Sequence, residues 1–135
     1  KTVSLSDYKD KKLVVHFYPK ASTPGCTTES EDFRDMAADF AKANTAIVGI
    51  SKDEMKAQKN FCVNSELTFP LLSDAKGDVC ERYGAWGEKN MYGKKYMGIV
   101  RSTYLIDTNG KIAAAWPKVS VTGHVAEVLK AAQKL

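Results

Sequence analysis

The sequence predicts an α/β fold, a central mixed β-sheet flanked by helices. Three observations carry that expectation. Apolar, β-branched runs alternate with stretches of helical period, the last two strand-like runs are joined by a Thr-Asn-Gly turn, and no repeat or low-complexity tract interrupts the alternation. At 135 residues, 44% hydrophobic and 27% charged, the chain fits a single domain able to bury a real core.

The chain opens at Lys and runs into strand-like TVSL, so we expect residues upstream of the first one given. KLVVHFY (12–18) is β-branched and aromatic, bounded by a charged turn and Pro19, and reads as a buried strand. A helix should follow over about 24–43, with Phe33, Met36, Ala37 and Phe40 on its core face. Thr23 suits its N-cap and Pro24 its first position, while Glu29 and Glu31 place negative charge in the early turns. TAIVGIS (45–51) reads as the second strand, and SKDE (51–54) matches a capping box opening a helix to about Val63. LTFPLLSD supplies a short strand, DVCERYG a short helix, and GEKNMYGKK an exposed loop. RSTYLID and KIAAAWPKV form a hairpin, and HVAEVLKAAQKL is the last helix. This order is that of a thioredoxin-like layout: helix-linked central strands parallel, the closing hairpin antiparallel.

Several function classes are disfavoured. The longest apolar runs, LVVHFY and TAIVGI, fall short of the ~18 residues a membrane span needs. The net charge of +4 comes from 20 basic and 16 acidic residues interleaved along the chain. The basic patch with Tyr92 and Tyr96 therefore reads as a solvated loop rather than a nucleic-acid surface. Three cysteines, 26, 62 and 80, are an odd number, which argues for a reducing compartment, by default the cytoplasm.

The expected site lies where a central strand ends and a helix begins, and Cys26 is there. As the third helical residue it sits beside amide N–H groups that have no helical partner. Those donors and the helix dipole favour the thiolate, while Glu29 and Glu31 oppose it, so a cation is needed among Lys20, Arg34 and Arg101. The bland reading, a small buried hydrophobe, loses ground at a first-turn position after Pro-Gly. A Cys-x-x-Cys dithiol is excluded because residue 29 is Glu, and a Cys-x5-Arg phosphate loop because residue 32 is Asp. His16, His124 and the scattered cysteines lack zinc-site spacing, and Gly87, Gly93 and Lys95 fail the phosphate-loop pattern. His16 belongs to its strand, His124 helps begin the last helix, Trp86 and Trp116 pack, and Tyr18 lines the pocket.

PKASTPGCTTE contains Pro-x3-Thr-x2-Cys (Pro19, Thr23, Cys26), and with FPLLSD, EKNMYGKKYMGIVRSTYLID and GHVAEVL it resembles the peroxiredoxins of the bacterioferritin-comigratory-protein, or PrxQ, subfamily. The resemblance spans nearly the whole chain, as one peroxiredoxin domain lacking the usual N-terminal segment. It implies a thiol peroxidase with no metal or bound cofactor, acting on hydrogen peroxide and organic hydroperoxides. Cys26 would be the peroxidatic cysteine, oxidised to a sulfenic acid. Thr23 would bond peroxide and thiolate, Pro19 would shield the site and Arg101 would supply the cation. The N–H groups of Gly25 and Cys26 would cradle the oxygen on which charge develops.

Many members carry a resolving cysteine five residues on, where this chain has Glu31. Others place it on the next helix, as Cys62 is placed; the alternative for Cys62, seven positions after Met55, is a core residue. Cys80 reads as structural. A Cys26–Cys62 bridge needs Cα atoms within ~7 Å, which a first-turn cysteine facing its own pocket does not meet, so we expect the turn holding Cys26 and the helix end holding Cys62 to unwind on oxidation. Recycling by thioredoxin or a related dithiol and a monomeric state are implied as well. The alternatives are a single-cysteine peroxidase, a thioredoxin-like redox sensor or binding module, and, more remotely, a cysteine hydrolase.

Overall fold

The computed structural model describes residues 10–19, 24–67, 69, 71–74, 79–91, 93–117, 119 and 123–135; the TVSL stretch, Lys20, Thr23 and Tyr92 lie outside them. Among the described residues, five strands form the main sheet in the order β3-β2-β1-β6-β7: β1 Lys12–Phe17, β2 Thr45–Ser51, β3 Leu71–Ser73, β6 Ser102–Ile106 and β7 Ile112–Trp116. β1 is central. It runs parallel to β2, with Lys12 opposite Thr45 and Phe17 opposite Ile50, and antiparallel to β6, with Phe17 opposite Ser102. β2 and β3 are parallel, β6 and β7 antiparallel, so the mixed sheet has the expected directions. Helix-linked strands are parallel because a crossover returns the chain to the same end of the sheet.

The inner strands β1, β2 and β6 are buried on both faces, and side-chain alternation separates two cores. Leu13, Val15 and Phe17 pack with Val48, Ile50, Tyr104 and Ile106 on one face. This side is closed by Cys80 from α4 (Val79–Arg82) and by Ile99 from β5 (Lys94–Ile99). Val14 and Tyr18 point the other way, into a cluster with Cys26, Phe33, Phe40, Phe61, Val125 and Val128. Those residues come from α1 (Pro24–Asp35), α2 (Ala37–Lys42), α3 (Met55–Asn64) and α5 (His124–Lys134). Lys12 ties the sheet to the end of α5 by donating to the carbonyls of Ala132 (2.7 Å), which also accepts from the Leu135 N–H (3.3 Å), and of Leu135 (3.3 Å).

Three local expectations are corrected. The helix over 24–43 is two helices: at Met36 the backbone turns to φ −100° and ψ 6°, although Phe33 and Phe40 both stay in the core, ring centroids 5.8 Å apart. No capping box forms at 51–54. Ser51 remains in β2, its hydroxyl accepting from Asp53 N–H (3.2 Å) and Gln58 Nε2 (3.0 Å), and α3 begins at Met55 behind Glu54. The stretch expected as an exposed loop is a β-hairpin, β4 (Trp86–Met91) against β5, with Gly93 at φ 80° in its turn. Its solvated arm hides the strand signal: Glu88 and Lys95 form an ion pair at 3.6 Å, Met97 is 55% exposed, and Trp86 and Ile99 pack into the core at the base.

Gly49 fits where no side chain does. A Cβ there would lie 2.8 Å from His16 Nε2, 2.8 Å from Leu71 Cδ2 and 3.2 Å from Tyr18 Cε1. Gly49→Ala should therefore overpack the core beneath β1 and destabilise the fold by about 1–3 kcal/mol. Urea unfolding would show a lower midpoint at unchanged slope.

Candidate active site

α1 starts at Pro24, whose missing N–H is no loss in a first turn, and Cys26 is its third residue, as expected. The thiol is fully buried. Arg101, the residue before β6, donates from Nη2 to Cys26 Sγ at 3.3 Å. The antiparallel register brings it there, because Ser102 stands opposite Phe17 at the end of β1, close to where α1 begins. Val119 N–H holds the Arg101 carbonyl at 2.9 Å. Gly25 makes room for the approach, since a Cβ at that position would meet Arg101 Nη2 at 3.1 Å.

Of the three candidate cations, Arg101 therefore meets the sulfur. Arg34 is engaged elsewhere, with Asp35 at 2.8 Å and the Ser65 carbonyl at 2.7 Å, and Lys20 lies outside the described residues. Thr23 does too. Pro19 follows β1 and is half-buried, with Tyr18 behind it fully buried and 5.8 Å from the Phe61 ring. Burial pushes the Tyr18 phenol well above its ordinary pKa, so it stays neutral.

Glu29, expected to oppose the thiolate and so to require a cation, is fully buried one turn beyond Cys26 and accepts from Arg101 Nη1 at 2.7 Å, so the same cation meets both groups. Burial works against its charge, but His16 and Arg101 outweigh that and hold the carboxyl below its ordinary range. His16 Nδ1 lies 3.7 Å from Glu29 Oε1. Arg101 likewise loses by burial, and Cys26 and Glu29 return more than that loss, raising its pKa further. The guanidinium thus stays charged between sulfur and carboxylate.

Behind Glu29 lies a buried polar layer. His16 packs on Phe33 with ring centroids 4.8 Å apart. His124, the first residue of α5, has Nε2 2.8 Å from Thr103 Oγ1 and 4.0 Å from Glu29 Oε2. Reading the two histidines as strand and helix-start residues placed them correctly but missed what their rings face. The available signal was spacing: Cys26, Glu29 and Phe33 fall at i, i+3 and i+7, one helical stripe, so a buried Cys26 carries Glu29 inward with it.

The other two cysteines sit differently, and all three are free thiols. Cys62, half-buried near the end of α3, packs against the same core cluster as Cys26. Met55, seven residues earlier, is 59% exposed, so the buried face of α3 is set by Gln58 and Phe61 and Cys62 flanks it. Cys80 lies in the core of the opposite sheet face, its N–H given to Asp74 at 2.8 Å. Trp86 packs below Lys52, 5.0 Å from its ring, and Trp116 donates to Glu127 at 3.2 Å. Among the described residues, no helix is long and apolar enough to cross a membrane.

A buried thiol in the first turn of a helix, set against an arginine at the edge of a mixed sheet, defines a thioredoxin-fold thiol enzyme. Residues 1–115 match the model of the AhpC/TSA family, and the chain belongs to that family. Within it the chain is a peroxiredoxin of the Bcp, or PrxQ, kind, and so a peroxidase by enzyme class. It is 47% identical over 129 residues to peroxiredoxin Bcp of Bacillus subtilis, covering 96% of this chain and 82% of that one. It is 48% identical over 119 residues to peroxiredoxin Bcp of Xanthomonas campestris, covering 88% and 74%. A solved structure of the Xanthomonas campestris bacterioferritin comigratory protein, studied for alkyl peroxide reduction, superposes with a TM-score of 0.95 at 42% identity, over 99% of this chain and 84% of that one.

The polar layer predicts a pH signature. Burial lowers the His124 pKa, so the folded protein binds fewer protons there than the unfolded chain. Stability from this group is complete above the unfolded value of ~6.5 and is lost as pH falls below it. Glu29, with a depressed pKa, adds a second loss at lower pH, through and below the ordinary carboxylate range. Urea midpoints measured across pH should decline in these two windows, and His124→Gln should remove the upper one.

Proposed function

We propose that Cys26 is the peroxidatic cysteine of a thiol-dependent peroxidase acting on hydrogen peroxide and organic hydroperoxides. The observation that carries this reading is the Arg101 Nη2 contact with the buried Cys26 sulfur. The thiolate attacks one peroxide oxygen; an S–O bond forms as the O–O bond breaks, and the other oxygen leaves as water or an alcohol once protonated. Arg101, fixed by Glu29, supplies a preorganised charge at the sulfur and the departing oxygen. In this reading Thr23 bonds peroxide and thiolate, Pro19 shields the sulfur from water, and the amides of Gly25 and Cys26 face the oxygen.

Cys62 is the resolving thiol in this reading. It attacks the sulfenic sulfur, forming an S–S bond as the S–O bond breaks and water leaves, and a dithiol returns two electrons to the bridge. Its place against the same core as Cys26 supports it over Cys80, which lies across the sheet. Thioredoxin or a related dithiol fits the reductant, and three free thiols fit a monomer in the reducing cytoplasm.

Cys26→Ser should abolish peroxide consumption in a coupled dithiol assay. Arg101→Met should lower kcat/KM by about 10²–10³-fold, the scale for losing one preorganised donor. Turnover by Cys26→Ser near the wild-type rate would overturn the assignment. Cys62→Ser should retain one stoichiometric oxidation yet lose sustained dithiol-driven turnover; undiminished turnover would return Cys62 to a packing role and leave a single-cysteine route.

A further inference from the structure

We propose that Arg34 latches the helix bearing Cys26 to the helix end bearing Cys62, and that this latch works against a strained cap at Glu66 to set how fast the two thiols meet. This rests on reading Cys62 as the resolving cysteine.

Arg34 lies on α1, eight residues beyond Cys26. Its Nη1 donates to the carbonyl of Ser65 at 2.7 Å, across to the residue that ends α3. Asp35 Oδ1 holds Nε at 2.9 Å and Nη2 at 2.8 Å, and Glu31 Oε2 lies 3.8 Å from Nη1, so the guanidinium is aimed before it reaches Ser65.

The end of α3 closes by two nested hydrogen bonds, Leu67 N–H to the Cys62 carbonyl (3.0 Å) and Glu66 N–H to the Val63 carbonyl (3.2 Å). This closure needs a left-handed residue at Glu66, where φ is 51°. Glycine takes that conformation freely, whereas a Cβ there is strained. Cys62 is held twice by Leu67: its carbonyl accepts from the Leu67 amide, and its Sγ–H donates to the Leu67 carbonyl at 3.5 Å. Leu67 is buried in the cluster that holds Phe61 and Cys26.

For Cys62 to attack a sulfenic acid on Cys26, with water leaving as the disulfide forms, these Leu67 bonds must open. Arg34 resists the opening from the α1 side and strain at Glu66 favours it. The Arg34 guanidinium, which also feels the Glu66 carboxylate, and the backbone strain at Glu66 therefore act in opposite directions on one step, after Cys26 has already been oxidised.

The test uses the reduced chain and one equivalent of hydrogen peroxide, quenched over time, alkylated and digested, with sulfenic Cys26 and bridged Cys26–Cys62 peptides quantified by mass spectrometry. Arg34→Met should form the bridge about threefold to tenfold faster, the scale of a charged hydrogen bond partly open to water. Arg34→Lys, which keeps one donor for Ser65, should fall between it and wild type. Glu66→Gly should form the bridge about fivefold more slowly, as the relieved cap holds longer. Sulfenic acid should appear at the wild-type rate in all three. Should Arg34→Met not fold, Glu66→Gly, at an exposed position, carries the test alone. Equal bridging rates in every folded chain overturn the latch, and so does a changed rate of the first oxidation with bridging unaltered. A chain in which no Cys26–Cys62 bridge ever forms overturns the resolving role of Cys62, and the latch falls with it.

Discussion

One guanidinium organises this molecule. Arg101 lies between a fully buried carboxylate and a fully buried sulfur, 2.7 Å from Glu29 and 3.3 Å from Cys26. A carboxylate with no water around it is tolerated only when paired, and breaking a buried pair from one side costs about 3–5 kcal/mol. Arginine is the side chain suited to the position: its planar fork meets two partners at once and keeps its charge in a dry setting. The chemistry and the stability of the first turns of α1 thus rest on the same contacts.

The sheet makes this pairing possible between residues 75 positions apart. β1 ends at Phe17 and β6 begins at Ser102 directly opposite, and the first turn of α1 and the residue that precedes β6 meet at one corner. Gly25 leaves the corner open to the guanidinium, and Gly49 leaves the sheet open beneath His16 and Tyr18. The polar layer of His16, Glu29, Thr103 and His124 is all buried, and the Thr103–His124 bond ties the last helix to β6. α5, far along the chain from Cys26, is in this way part of the floor of the site.

Most of the fold was legible because its strands are apolar runs with clear ends: KLVVHFY and TAIVGIS lie within a residue of β1 and β2. The first-turn position of Cys26 was legible from Pro-Gly chemistry and needed no tertiary information. What escaped was set by tertiary contact. The β4–β5 ribbon exposes Glu88, Lys94, Lys95 and Met97 alike, so it lacks the alternation by which a half-buried strand announces itself. Ser51 looked like a cap and is instead a strand end committed to Asp53 and Gln58. The burial of Glu29 was not legible, because a glutamate is usually exposed; His16 and Arg101, from distant parts of the chain, make it tolerable.

The two-sided sheet has a further consequence for how this molecule can change over time. The redox thiol and its polar floor occupy one face, while Leu13, Val15, Phe17, Val48 and Ile106 pack in an apolar cluster on the other. β1 is shared, yet consecutive residues belong to different compartments. The strand therefore works as a partition wall: volume-conserving exchanges behind it shift stability while leaving the reactive chamber in place. Sequence drift, and protein engineers, have one half of the core to work in freely, and the other half is bound to the enzyme's chemistry.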